Sequence, residues 1–173
     1  MITDVLLDRA AVVPAALVVV ALMCIAIGSW ALRSRRRGPR VVRVLAVLSV
    51  LPVAVLTLAP SGRSSGGVGG CTVQFALPGP GTVEQLANVA LFLPPVFFAV
   101  LASHRPVVVL AAASGVSALI ESVQALLPAL GRACDTNDWA MNSLGAATGV
   151  LLAAGTTALA GRVRSGPAAD ERT

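Results

Sequence analysis

The sequence predicts an all-α fold: a polytopic membrane bundle of about five transmembrane helices, with the N-terminus outside and the C-terminus inside. Three observations lead there. The 173-residue chain is 56% hydrophobic and 12% charged, whereas a soluble domain carries about 25% charged residues. Uncharged apolar runs of about 20 residues recur, the length a helix needs to cross a bilayer. Every basic residue except His104 is arginine, and the arginines crowd into alternate connections.

The first span is expected from Ala11 to Leu32, with Pro14 in its first turn, where a missing N–H costs little. Asp4 and Asp8 stand where a secretory signal would be basic, so this span is read as a retained helix. The second runs from Val41 to Ala59 and stops at Pro60. The third follows "GPGTVEQ", where Thr82 and Gln85 have capping-box spacing, and ends near Ser103. The fourth runs from Pro106 to Leu127, and the fifth from Asp138 to Ala160. Residues 1–160 thus make one transmembrane domain, and 161–173 a short cytoplasmic tail expected to be disordered.

Orientation follows from the arginines, because cytoplasmic loops carry the excess of positive charge. Arg33, Arg35, Arg36, Arg37, Arg40 and Arg43 lie between the first two spans. Arg105 lies between the third and fourth, and Arg162, Arg164 and Arg172 in the tail. Only Arg9, Arg63 and Arg132 fall on the other side. The run "RSRRRGPR" also suits nucleic acid, but two spans flank it, so it is read as a topology signal that touches anionic lipid. No nucleic-acid partner is expected.

Of three cysteines, Cys24 lies inside the first span and reads as a small apolar filler. Cys71 and Cys134 belong to different loops that the topology puts outside, where oxidising conditions permit a disulfide. Free thiols or an intermolecular pair remain alternatives. There is no CxxC, HExxH, Walker or GxSxG pattern, and no metal or cofactor is expected.

The polar residues of the spans fall into stripes. Ser114, Ser117, Glu121 and Gln124 line one face of the fourth span. Asp138, Asn142, Gly145 and Gly149 line one face of the fifth, and its glycines suit close helix contact. Glu121 lies about 9 Å below the outer end of its helix, at 1.5 Å per residue. Asn88 enters from the same side. Asn88, Glu121, Gln124 and Asn142 can therefore share one layer, beneath a loop carrying Arg132, Asp135 and Asp138. Arg132 is the nearest cation for Glu121, and an ionisable group inside a membrane is costly and usually paired. The layer can equally be interhelical glue, with Asp135 as the N-cap of the last helix and Asp138 favouring its positive end.

At these residues the sequence resembles the VanZ-like family of bacterial membrane proteins. The pattern is Asn88-x-x-x-Phe92-x-Pro94, then Glu121-x-x-Gln124, then Arg132-x-x-Asp135-x-x-Asp138, then Asn142-x-x-Gly145-x-x-x-Gly149. It spans Asn88 to Gly149, within a VanZ-like core at 83–160, and its specificity lies in the ordered set. It departs from the family at Val96, where a glycine is frequent, and in the second proline, Pro95. The resemblance implies a multi-pass protein of the bacterial cell membrane, with membrane lipids as partners. It also implies a link to teicoplanin-type glycopeptide resistance, and a site at Glu121, Arg132, Asp138 and Asn142.

Two functional readings follow. In the first, the polar layer binds a lipid-linked cell-wall precursor, a lipid head group or a lipoglycopeptide, with Arg132 on phosphate or carboxylate. In the second, the chain is a membrane-embedded enzyme acting on such a lipid, with Glu121 or Asp138 as general acid or base. Reporter fusions test the topology: fusions after Gly38 and Ala169 should report cytoplasm, and one after Gly67 the exterior. A cytoplasmic signal at Gly67 overturns the orientation.

Overall fold

In lipid every backbone polar group must find a partner within the chain, which leaves helices as the economical solution for apolar runs of this length. The computed structural model describes residues 12–59, 71–76, 83–127, 130 and 134–164. It contains α1 (Val12–Arg33), α2 (Gly38–Leu48), α3 (Val50–Leu58), β1 (Cys71–Thr72), α4 (Val83–Ser103), α5 (Pro106–Leu126), β2 (Cys134–Asp135) and α6 (Thr136–Arg164). Taken together, α2 and α3 form one span, so five stretches are long and apolar enough to cross a membrane. Thr82, whose capping role the sequence suggests, lies outside the described residues.

The second span differs from the sequence expectation by being broken. Ser49 turns its hydroxyl back onto the Leu45 and Ala46 carbonyls, at 2.6 and 3.1 Å. Pro52, three residues on, has no N–H to return to Leu48. A serine bonding backward and a proline ahead of it together interrupt the helical ladder. The last helix also differs. It begins at Thr136 rather than Asp138 and continues to Arg164, so the first four residues of the expected tail are helical.

α4 is the axis of the bundle. Its Leu93, Val96, Phe97, Phe98 and Leu101 are buried in the main core. α1 meets it through a small-residue face of Cys24, Gly28 and Ala31. A Cβ added at Gly28 would come within 2.7 Å of the Phe97 ring, so the ring occupies the space the glycine leaves. α6 packs on α4 more extensively than any other pair of elements does. Gly145 lies against the Val89 backbone, and a Cβ there would run into the Val89 carbonyl. One turn on, a Cβ at Gly149 would sit 2.7 Å from the Leu93 carbonyl oxygen. Ala146 and Ala153 are fully buried on the same helix. Such small-residue faces let helix backbones approach closely where lipid offers no hydrophobic drive for association.

These contacts give the helix directions. Gly145 to Gly149 follows Val89 to Leu93 in the same sense, so α6 and α4 are parallel. α5 opposes them, because its Glu121 and Ser117 meet Asp135 and Asn142 in reverse order. Charge is then sorted by end. Arg33, Arg35, Arg36, Arg37, Arg40, Arg43, Arg105, Arg162 and Arg164 gather at one end, and the described carboxylates Glu84, Glu121, Asp135 and Asp138 at the other. Large apolar side chains such as Val18, Leu22, Leu51, Val107, Leu119 and Leu151 are exposed between the ends, as lipid-facing residues should be.

The glycine packing is directly testable. Gly145→Ala and Gly149→Ala should each destabilise the purified protein in detergent by about 1–3 kcal/mol through overpacking. Gly155→Ala is the control, since nothing lies within 4 Å of its added Cβ. It should be neutral or stabilising by up to about 1 kcal/mol from helix propensity. Equal stability of Gly145→Ala and the parent chain would contradict the close approach.

Candidate functional site

The end of the bundle opposite the arginines is built around a short clip. β1 and β2 pair in parallel, with Cys71 opposite Cys134 and Thr72 opposite Asp135. Cys71 and Cys134 are joined by a disulfide across 63 positions of sequence. The adjoining segment is sewn to the start of α6. The Gln74 N–H donates to the Thr136 hydroxyl, which donates onward to the Gln74 carbonyl, both at 2.9 Å. The Ala76 N–H donates to the Asn137 side-chain oxygen at 2.9 Å. The Gln74 side-chain amide donates to Asp135.

Asp135 has two further jobs here. Its carboxylate accepts from the Asn137 N–H at 2.8 Å, which makes it the N-cap of α6. Its own backbone N–H donates to the Glu121 carboxylate at 3.0 Å. Glu121 is buried in α5, and this bond ties α5 to the first turn of α6. Arg132, the cation expected for Glu121, lies outside the described residues.

The other polar residues pair across helices. The Asn88 amide on α4 donates to the Asp138 carboxylate on α6 at 2.7 Å, a charge-assisted bond. The Asn142 amide donates to the Ser117 hydroxyl at 2.9 Å, and both side chains are essentially inaccessible to solvent. Ser117 lies one turn from Glu121 on α5, and Asn142 one turn from Asp138 on α6, so these pairs form one connected layer. Gln124 stands apart. It donates to the Thr57 carbonyl on α3 at 2.9 Å and so satisfies a carbonyl in the last turn of that helix. Gly145 and Gly149 continue the Asn142 face downward into the contact with α4.

Three buried side-chain oxygens, of Gln85, Asn142 and Ser143, lack a hydrogen-bond partner among the described residues, and Asn142 is the one within the layer. The Asn142 side chain is 2% exposed, and its amide oxygen has no hydrogen-bond partner among the described residues. Exchanging its oxygen and nitrogen would still leave one end of the amide unmatched, since Ser117 offers a single contact. An orphaned buried polar group of this kind marks a place for a water, an ion or a ligand.

Sequence reasoning missed several members of this end. Thr57 is, with Ser49, one of two uncharged polar residues in the second span, but nothing in its spacing points to Gln124. Gln74, Thr136 and Asn137 carry no motif, and their role appears only once the loop is folded back on α6.

Five membrane-length helices around a buried polar layer, pinned at one end by a disulfide, define a multi-pass helical membrane protein with a polar cluster inside the bundle. A family model described as VanZ/LLP1 matches residues 15–159, and the chain belongs to that family. The match takes in α1, α2 and α3 as well as the later helices, so the family pattern reaches well beyond the Asn88–Gly149 motif set. No curated protein and no solved structure matches the chain.

The clip predicts a measurable contribution. Peptide mapping without reductant, with alkylator present from lysis, should recover Cys71 and Cys134 linked. Replacing both by serine should lower stability by up to about 4 kcal/mol, the loop-closure value for a cross-link of this span. Two freely alkylated thiols would contradict the bridge.

Proposed function

We propose that this VanZ-family envelope protein uses its polar layer to bind a lipid-linked cell-wall precursor, a lipid head group or a lipoglycopeptide, and that it acts in protection against teicoplanin-type glycopeptides. The observation that carries the reading is the unmatched half of the Asn142 amide, buried one turn from Asp138 and beside the Glu121 turn of α5. A ligand hydroxyl or amide N–H entering the layer would complete it by donating to that oxygen. The layer is placed outside in this reading, with the arginine end in the cytoplasm. A disulfide at the layer's own end supports that side, because such bonds persist in oxidising compartments.

A lipid-borne ligand is favoured by the groove beneath the layer. It is walled by Val53 of α3, Phe92 of α4, and Ala113 and Val116 of α5, and is almost wholly apolar. One turn beyond Val53 stands Thr57, and one turn beyond Phe92 stands Asn88. A molecule with a hydrocarbon chain and a polar head fits this sequence of surfaces. Arg132 is assigned to a phosphate or carboxylate of the ligand, two residues from the disulfide cysteine Cys134.

Removing one partner of a buried charged pair costs about 3–5 kcal/mol, so truncation to alanine would confuse unfolding with loss of function. Glu121→Gln, Arg132→Gln and Asp138→Asn keep hydrogen-bonding capacity and much of the shape. All three should reach normal membrane levels and lose glycopeptide protection, whereas Ser61→Ala should retain both. If Glu121→Gln and Arg132→Gln keep full protection at normal levels, the layer is helix glue and the site is elsewhere.

A further inference from the structure

At the opposite end, α1, α2 and α4 leave a cleft of about 360 Å³. Ser34, Arg35, Arg43 and His104 supply its polar wall, and Val42 and Leu101 belong to its apolar wall. Arg36 and Arg37 of the connection and Arg40 of α2 do not line it. The described carboxylates lie at the far end of the bundle, so no described acid is available to neutralise this cleft.

Its construction is unusual in one respect. His104 holds φ 56°, the left-handed region where glycine is ordinary and an L side chain is strained. Its N–H closes the end of α4 on the Val100 carbonyl at 2.8 Å. Glycine would serve that closure without strain. Histidine stands here instead, at a position that lines the cleft together with Arg35 and Arg43. Strained positions of this kind cluster at ligand clamps. On the other side, Gly38 is pressed against the Ala31 carbonyl, so a Cβ there would clash with it. The Gly38 N–H donates to the Ser34 carbonyl at 3.0 Å, which holds the connection in a tight turn beside the cleft.

We propose that this cleft is a binding site for the phosphate head group of an anionic phospholipid in the leaflet on the arginine side. Arg35 and Arg43 donate to the phosphate oxygens, with Ser34 and His104 completing the set. The apolar wall receives the start of the acyl chains. The proposal is independent of the polar layer at the other end.

Native mass spectrometry of the purified full chain in detergent, titrated with phosphatidylglycerol or phosphatidylcholine, tests it. One phosphatidylglycerol should be retained in preference to phosphatidylcholine. Arg35→Gln and Arg43→Gln should each weaken that retention about tenfold or more, as the loss of a hydrogen bond to a charged group does. Arg36→Gln and Arg40→Gln should leave it unchanged. His104→Gly should keep or raise the melting temperature, because it relieves strain, and still weaken retention; a purely structural role for His104 moves only the first. Equal losses in all four arginine variants would show diffuse charge and overturn the site. So would retention that ignores all four, and so would displacement of the lipid by equimolar inorganic phosphate, which would make the ligand a free ion.

Discussion

The contact between α4 and α6 is the constraint on which the rest of this bundle depends. Gly145 and Gly149 let the two backbones approach until the Val89 and Leu93 carbonyls fill the space that side chains would need. Inside a membrane that approach is held by van der Waals packing and polar contacts, since lipid tails are as apolar as leucine. Its effect on the polar residues is geometric. With the helices parallel and this close, Asn88, next to Val89, falls within hydrogen-bond reach of Asp138, two turns before Gly145. A wider spacing would leave a carboxylate in the bundle without its amide partner.

The short clip at the same end fixes what the helix pair leaves free. α5 is antiparallel to α6 and touches α4 much less. It is held by the Glu121 bond to the Asp135 N–H, by Ser117 with Asn142, and by the Trp139 indole donating to the Ser114 carbonyl at 3.2 Å. Asp135 therefore joins three tasks in one residue: it caps α6, accepts Gln74 and tethers Glu121. The disulfide beside it holds the incoming strand against that residue. Polar groups that could have been independent surface features become a single connected unit.

Most of the architecture was legible because hydrophobic runs of membrane length have few other uses. The stripe of Ser117, Glu121 and Gln124 was equally readable from helical spacing, as was the pairing of Cys71 with Cys134 from their shared side. What escaped was backbone chemistry. Glu121 was expected to seek a cation, and in the described structure it accepts from a main-chain N–H, a donor that every residue carries and no motif displays. Asp135 as an N-cap was among the alternatives, and its carboxylate does hold that position. The break at Ser49 was hidden for a different reason. A single serine and a single proline in a long apolar run do not end a membrane helix by composition, because neighbouring helices can absorb the lost bond. The two-residue strands have no periodicity to read at all.

Among the described residues, the sorting of charge by end sets up an electrical dipole along the bundle. Nine described arginines stand at one end and four described carboxylates at the other. Carrying one elementary charge across a membrane potential involves about 2.3 kcal/mol for each 100 mV, before any cost of dehydrating it. Turning the bundle over would drag all nine guanidinium groups through the hydrocarbon. Insertion is therefore a one-time decision for this chain: the orientation acquired when the helices enter the bilayer is the one the mature protein keeps.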